Sequence, residues 1–449
     1  MSRIGLPTWL VAVGAAGLLS ATCGNDPSRD APDGTATDLG LDLPMDAAPD
    51  SAPEIPGDNG LDIPSFQWSA GCEGTGIGAT WTRIHDDTFH RGPLIQMSDR
   101  DTVTVVWRTP TPVSDEGCVT YTVADTPDTI CGTADTWGQY QITLTGLPPA
   151  TEIPYSVAVG DMRTGDLTFR TMPDRPVPMK MAVFADSHDN RQNLDRMTDV
   201  ALAEGVDFVV GVGDLTGHGA SEQFDEAFRG WQDLGSRVNL WTVMGNHDEK
   251  DRMSYFQSFA LPEGNEDEAS AGLGEGWWAR RIGNVWMGGG WIRDFYLSMP
   301  DTEWGQVGWF RRQFQTREFT TAQWKLFFIH EPPYGLQSGG CMYNGEQALR
   351  VALVPLMVEH GIHASIHGHV HAREWAEVAP GYHMFITGTL GGGIEDGGCP
   401  PPDWFPDPWH SDAGGHNFAI VEAGCDALVF RYMDLDGNEI SRVEIPADT

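Results

Sequence analysis

Phe208-Val209-Val210-Gly211-Val212-Gly213-Asp214 decides the fold: five residues without a polar side chain, closed by a glycine and then a carboxylate. A strand buried on both faces reads as such an unbroken apolar run. Met181-Ala182-Val183-Phe184 repeats the pattern and leads into Asp186-Ser187-His188. Helical periodicity lies between and after these runs. Ser221 to Leu234 sets Phe224, Ala227, Phe228 and Trp231 on one face. Gln347 to His360 reads as a longer apolar helix that Pro355 should interrupt. The alternation predicts an α/β domain with parallel strands, and polar residues just beyond strand ends stand where open α/β sheets place ligands.

Working outward from that stretch, five short blocks occur in one order: Asp186-Ser187-His188, Gly213-Asp214, Gly245-Asn246-His247-Asp248, His330-Glu331-Pro332 and Gly368-His369-Val370-His371. Their Asp, His and Asn side chains are metal ligands by type. Two ions that work together sit about 3.5 to 4 Å apart, which a shared carboxylate achieves most readily, and Asp214 is the candidate bridge. Imidazole with oxygen donors suits Zn, Mn or Fe and does not choose among them.

Taken together, the blocks resemble the calcineurin-like metallophosphoesterases from Met179 to about Leu390. The resemblance implies a four-layer α/β/β/α catalytic domain. Asp186, His188, Asp214 and His371 would hold one divalent metal, and Asp214, Asn246, His330 and His369 the other. Only two of these ligands are anionic, so two bound divalent ions keep a surplus of about two positive charges for an anionic substrate. The reaction implied is attack by a metal-bridging hydroxide on a small phosphate ester, a monoester first, with phosphodiesters of nucleotides or lipid headgroups as the alternative. His247 would contact the phosphate and protonate the leaving group, with Asp248 orienting its ring. A non-catalytic surface binding protein is the rival from another class; the complete ligand set argues against it.

Ile282-Gly283-Asn284-Val285 and His330-Glu331-Pro332-Pro333-Tyr334 narrow the resemblance to the purple acid phosphatases, with one departure. Those enzymes carry an iron-binding tyrosine three residues after the bridging aspartate; this chain has Gly217 there, and His188 where they carry glycine. A colourless site with two divalent metals is therefore expected.

Ahead of the catalytic domain, assigned to 178–449, residues 76–173 show short alternating runs such as Thr102-Val103-Thr104-Val105-Val106-Trp107, the pattern of an all-β sandwich. Leu147-Pro148-Pro149-Ala150-Thr151 with Tyr155-Ser156-Val157 resembles a fibronectin type III domain. Residues 1–22 read as an export signal. Cys23 sits in a sequence similar to a bacterial lipobox, which would tether the protein to a membrane through a lipid. Residues 23–75 carry acidic side chains at Asp38, Asp42, Asp46, Asp50, Glu54, Asp58 and Asp62, but Pro44, Pro49, Pro53 and Pro56 forbid a helix, so a disordered tether is expected.

The formal charge of -37 repels nucleic-acid backbones, so a polymeric nucleic-acid partner is disfavoured. Of seven cysteines, six remain after Cys23, and export would let them pair. Cys118 with Cys131 is the pairing chosen. His218 is read as a solvated loop residue. Trp404, Phe405, Trp409 and His410 are a candidate aromatic rim. Asp434-Leu435-Asp436-Gly437-Asn438 is read as a hairpin turn rather than a calcium loop, because Ile445 stands where the closing Glu belongs.

Overall fold

The structure is a computed structural model that describes residues 68–78, 81–111, 113–261, 276–293, 305–336, 338–395, 398–412 and 414–447. The export signal, Cys23 and the acidic tether lie outside the described residues.

Eight strands come first: β1 (Arg91–Gln96), β2 (Thr102–Arg108), β3 (Gly117–Val123), β4 (Thr126–Gly132), β5 (Gln139–Thr145), β6 (Glu152–Val159), β7 (Met162–Arg163) and β8 (Leu167–Arg170). They form two antiparallel sheets, β1-β2-β5 and β4-β3-β6-β7, with β8 also on β6. Alternate residues of both sheets share one core. Val103, Val105 and Trp107 meet Val119, Tyr121, Tyr155 and Val157, with Trp107 stacked on Tyr140 at 4.9 Å. The Cys118–Cys131 disulfide joins directly paired residues of β3 and β4, as expected.

The remaining chain builds two larger sheets. Strands β9 (Met179–Phe184), β10 (Phe208–Val212) and β11 (Asn239–Val243) are parallel. They extend through β19 (Asn417–Ala423), β20 (Ala427–Asp434) and β21 (Glu439–Pro446) in the order β11-β10-β9-β19-β20-β21. The second sheet comprises β12 (Trp278–Ile282), β13 (Val285–Gly289), β14 (Trp324–Phe328), β15 (Ala364–His367), β16 (Arg373–Ala379), β17 (Tyr382–Thr387) and β18 (His410–Asp412). Its order is β12-β13-β14-β15-β17-β16-β18, with β13, β14, β15 and β17 parallel.

The two sheets face each other. Phe385 of β17 stacks on Phe430 of β20 at 4.2 Å, and Trp278 of β12 donates its indole N–H to the Thr242 carbonyl of β11 at 2.8 Å. Helices α1 (Arg191–Glu204) and α2 (Ser221–Gly235) cover the first sheet, with Trp231 against Phe184 at 5.4 Å. A short α3 (Arg252–Ser258) follows β11. On the far side of the second sheet lie α4 (Gly305–Gln313), α5 (Arg317–Thr320) and α6 (Gln347–Glu359), where Phe310 meets Phe327 at 4.8 Å.

Pro355 does not interrupt α6. The carbonyl it leaves unbonded, four residues back, belongs to Val351 on the exposed side of the helix, so water satisfies it at little cost. The Asp434 segment is the hairpin turn expected, its carboxylate accepting from the Asp436 and Asn438 amides. Cys72–Cys425 and Cys341–Cys399 complete three disulfides, which fit an oxidising, exported environment. Among the described residues no helix is long and apolar enough to cross a membrane.

Candidate metal centre

Parallel pairing sets the C-terminal ends of neighbouring strands side by side, and the five blocks occupy those ends. Asp186 follows β9 by two residues, Asp214 follows β10 by two, and Asn246 follows β11 by three; His330 and His369 each follow their strands, β14 and β15, by two. His371 precedes β16 by two. The turns are sharp: Asp186, His188, Asp214 and His369 all have positive φ, 52°, 44°, 49° and 68°. Side chains rarely adopt this conformation, and holding it costs about 1 to 3 kcal/mol per residue, a cost typical of functional loops. Gly245 allows a close approach of two of these turns. A Cβ there would stand 2.2 Å from the Asp214 nitrogen.

The side chains converge. Asp214 Oδ2 lies 3.3 Å from His330 Nε2, 3.8 Å from His188 Nε2 and 4.0 Å from His247 Nε2. Asp186 Oδ1 lies 3.3 Å from His371 Nε2, 3.9 Å from His330 Nε2 and 4.0 Å from His188 Nε2. Asn246 Oδ1 stands 2.9 Å from His369 Nδ1. Asp186 Oδ1, His188 Nε2 and His330 Nε2 are buried without a hydrogen-bond partner. Buried polar atoms are normally satisfied, and three orphans aimed at one point are what a cation would satisfy. The donor set therefore fits two divalent ions, with Asp214 reaching histidines from both groups.

Two of the remaining ring nitrogens are tied down. His330 Nδ1 donates to the Val212 carbonyl at 2.8 Å, and His371 Nδ1 to the Gly393 carbonyl. Each bond fixes the ring so that Nε2 faces inward, the arrangement that orients ligating histidines. Electrostatics agree. Burial opposes charge on His330, yet Asp214 and Asp186 lift its pKa well above the usual value. Asp214, despite burial, is held well below the carboxylate range by His330 and His247. His371 is lowered by burial but raised more by Asp186, to about 9. Burial, reinforced by the charge of His330, takes His369 down to about 4. Two carboxylates are thus sunk where only positive charge can balance them.

His247 reaches this centre, but Asp248 does not orient it. The His247 Nδ1 bonds the Gly217 carbonyl at 2.5 Å. Asp248 is fully buried and accepts from the Leu215, Thr216 and Gly245 amides and the Thr216 hydroxyl, tying the Asp214 turn to the Gly245 turn. Burial and the nearby Asp214 push its carboxyl up to about 7. A short acidic residue after an imidazole has two sets of partners in reach, and here the crowd of unpaired turn amides takes it. Its role is positional.

His218 stacks at 6.4 Å from His247, on the outer side of the centre. Trp404, Phe405 and Trp409 cluster around Tyr334, whereas His410 leaves that cluster and stacks on Trp375 at 3.7 Å. Two participants carried no sequence signal. Gly392 packs where a Cβ would lie 2.6 Å from His371 Cε1, and the Tyr343 ring sits 5.1 Å from that of His369. A glycine's closeness to a distant ring, or a tyrosine's to a strand-end histidine, is set by tertiary packing alone.

Comparison with known proteins agrees with this geometry. Residues 179–373 match the calcineurin-like phosphoesterase family. No curated protein matches the chain. Among solved structures, purple acid phosphatase PPD1 from yellow lupin (Lupinus luteus) seeds is similar with a TM-score of 0.65 at 15% identity, over 80% of this chain and 75% of that one. PhoD is similar with a TM-score of 0.59 at 10% identity, over 82% and 90% respectively. At such identities the likeness is one of fold.

Proposed function

We propose, from the premise that residues 179–373 are a calcineurin-like phosphoesterase domain and the protein a metal-dependent phosphoric ester hydrolase, that it is an exported phosphomonoesterase. The observation that carries this is the convergence of His188, His247 and His330 on Asp214 Oδ2, within 4.0 Å.

Asp186, His188, Asp214 and His371 would hold one divalent ion, and Asp214, Asn246, His330 and His369 the other. When bound, such ions polarise the phosphoryl group and supply an acidified water as nucleophile. The chain's own residues do the rest. Because the Gly217 carbonyl can only accept, Nδ1 of His247 carries a hydrogen, and only Nε2 faces the centre. As general acid the ring would present a proton at Nε2 to a departing alkoxide, and its pinned Nδ1 would keep that proton aimed. Asp248 keeps the Asp214 and Gly245 turns in register, so the ligands stay at working distance.

Two divalent ions against two carboxylates keep a surplus of about two positive charges, which a nucleophilic hydroxide and the phosphoryl group share, so the loaded centre draws phosphate esters, and the monoester is placed first. With metals loaded, p-nitrophenyl phosphate should be hydrolysed faster than its bis-ester; the reverse order would make the enzyme a phosphodiesterase, and no hydrolysis of either would remove the catalytic reading. His188 stands in for the tyrosine of purple acid phosphatases, so the iron-loaded protein should lack a visible tyrosinate band.

The N-terminal β-sheet module is read as fibronectin type III-like, and Cys23 as a lipid anchor at the end of an acidic tether. Mass spectrometry of the mature N-terminus tests the anchor: an unmodified cleaved residue there would make the protein a secreted one.

A further inference from the structure

Arg280 and Arg281 stand side by side on β12 and line one cleft of about 220 Å³, together with Arg100, Asp99, Gln313 and Glu318. Neighbouring residues of a strand point to opposite faces. Both reach the same cleft because β12 is the edge strand of its sheet, and the cleft wraps that edge between the β1–β2 turn and the segment joining α4 to α5. No residue of the metal centre lines it.

The cleft holds positive charge that the protein does not balance. Arg281 is 5% exposed, and its guanidinium lies 4.8 Å over the Trp68 ring. Its Nε donates to the Gly283 carbonyl at 2.8 Å and its Nη1 to the Glu318 carbonyl at 2.9 Å, while Nη2 is buried without a partner. Arg280 is half-buried and makes no side-chain hydrogen bond or ion pair among the described residues. Buried arginines are ordinarily held by a carboxylate. The two acids of the cleft do not meet that need: Asp99 lies 3.7 Å from Arg100 and accepts its amide at 2.7 Å, and Glu318 meets Arg281 through its backbone carbonyl. Burial accordingly lowers Arg281 to about 10 despite Glu318, and lowers Arg280 despite Asp99.

We propose that Arg280, Arg281 and Arg100 form a second anion site, separate from the metal centre, that takes a tetrahedral oxyanion such as inorganic phosphate or sulfate. The volume falls below the roughly 300 to 1,000 Å³ of clefts that take larger organic ligands, so the occupant is small. Four oxygens engage the unpartnered Nη2 of Arg281 and the five N–H groups of Arg280 more fully than the two of a carboxylate. Phosphate is also the product of the hydrolysis proposed above, but the site stands independently of that reading.

The test is calorimetric titration of the metal-stripped full chain with inorganic phosphate at fixed ionic strength, with thermal unfolding in phosphate and in chloride alongside. Phosphate should bind and raise the melting temperature. Arg280→Gln should weaken that binding about tenfold or more, and Arg100→Gln about threefold, because charge-assisted hydrogen bonds are lost. His247→Gln, at the metal centre, should leave it in place. Acetate should bind about tenfold more weakly than phosphate, and sulfate comparably. Absence of binding by both methods, binding kept in Arg280→Gln but lost in His247→Gln, or acetate binding as tightly as phosphate overturns the proposal. Should Arg280→Gln melt well below the parent in chloride, Arg100→Gln decides: weakened binding upholds the site, and unchanged binding overturns it.

Discussion

Asp207 shows how much a single carboxyl contributes when it is buried away from any metal. It caps the start of β10, accepting the Lys180 amide at 2.8 Å through Oδ2, while Oδ1 is buried without a partner. Burial, only partly offset by that amide and by Arg170 and Lys180, raises its pKa to about 6. A carboxyl raised in the folded state binds its proton more tightly there than in the unfolded chain. Stability from this group is therefore whole below about pH 4, falls as pH rises towards 6, and stays reduced above it, by about 3 kcal/mol. Asp207→Asn keeps an acceptor for Lys180 and removes the titration. Urea unfolding should find the variant more stable than the parent at pH 8 and no more stable at pH 4; an equal difference at both would refute this account. At the candidate site the sequence was far more telling: Asp186 and Asp214 each come within 4.0 Å of His188 and His330, His371 lies 3.3 Å from Asp186, and Asn246 meets His369. Asp248 was misread because its neighbour in sequence is not its neighbour in hydrogen bonding.

Elements were legible where periodicity was strong. The Phe208–Val212 run is a fully buried parallel strand, and the apolar stripe of Ser221 to Leu234 became α2, one residue longer. Pro355 was the local signal that misled. Proline breaks a helix when the lost bond and the ring clash are buried, but here Pro355 and Val351 both face outward. Leu349, Leu353, Leu356 and Met357 are all buried and hold the helix against its sheet. Packing outweighs a local penalty of about 3 kcal/mol. The penalty is still present, so Pro355→Ala should restore the Val351 hydrogen bond and raise stability by about 1 to 3 kcal/mol in chemical denaturation. An unchanged or lower midpoint would mean that the ring makes a packing contribution equal to the bond it removes.

At the scale of the whole described chain, the β-sheet module is joined to the α/β part through polar contacts that no sequence pattern announces, because their partners lie 81 or more residues apart. Asp225 of α2 is the focus: it accepts from Arg91 Nε at 2.9 Å and Nη2 at 2.6 Å, and from His90 at 2.8 Å. The Tyr155 hydroxyl donates to the Ser236 carbonyl at 2.7 Å, and the Ser98 amide to Asn239 at 2.8 Å. Arg91 is 1% exposed, and burial brings its pKa down to about 10 despite Asp225. A buried pair of this kind contributes little against an apolar substitute, but removing one partner strands the other charge and costs about 3 to 5 kcal/mol. Asp225→Ala should therefore lower stability by that amount and split one calorimetric transition into two, the β-sheet module melting first because it has lost its anchor on α2. Arg91→Met combined with Asp225→Leu should recover most of the loss, since neither charge is then buried alone. If the single variant melts in one transition at the parental temperature, the two parts are coupled through the Tyr155 and Ser98 contacts and the Cys72–Cys425 bridge instead, and the ion pair only fixes their orientation.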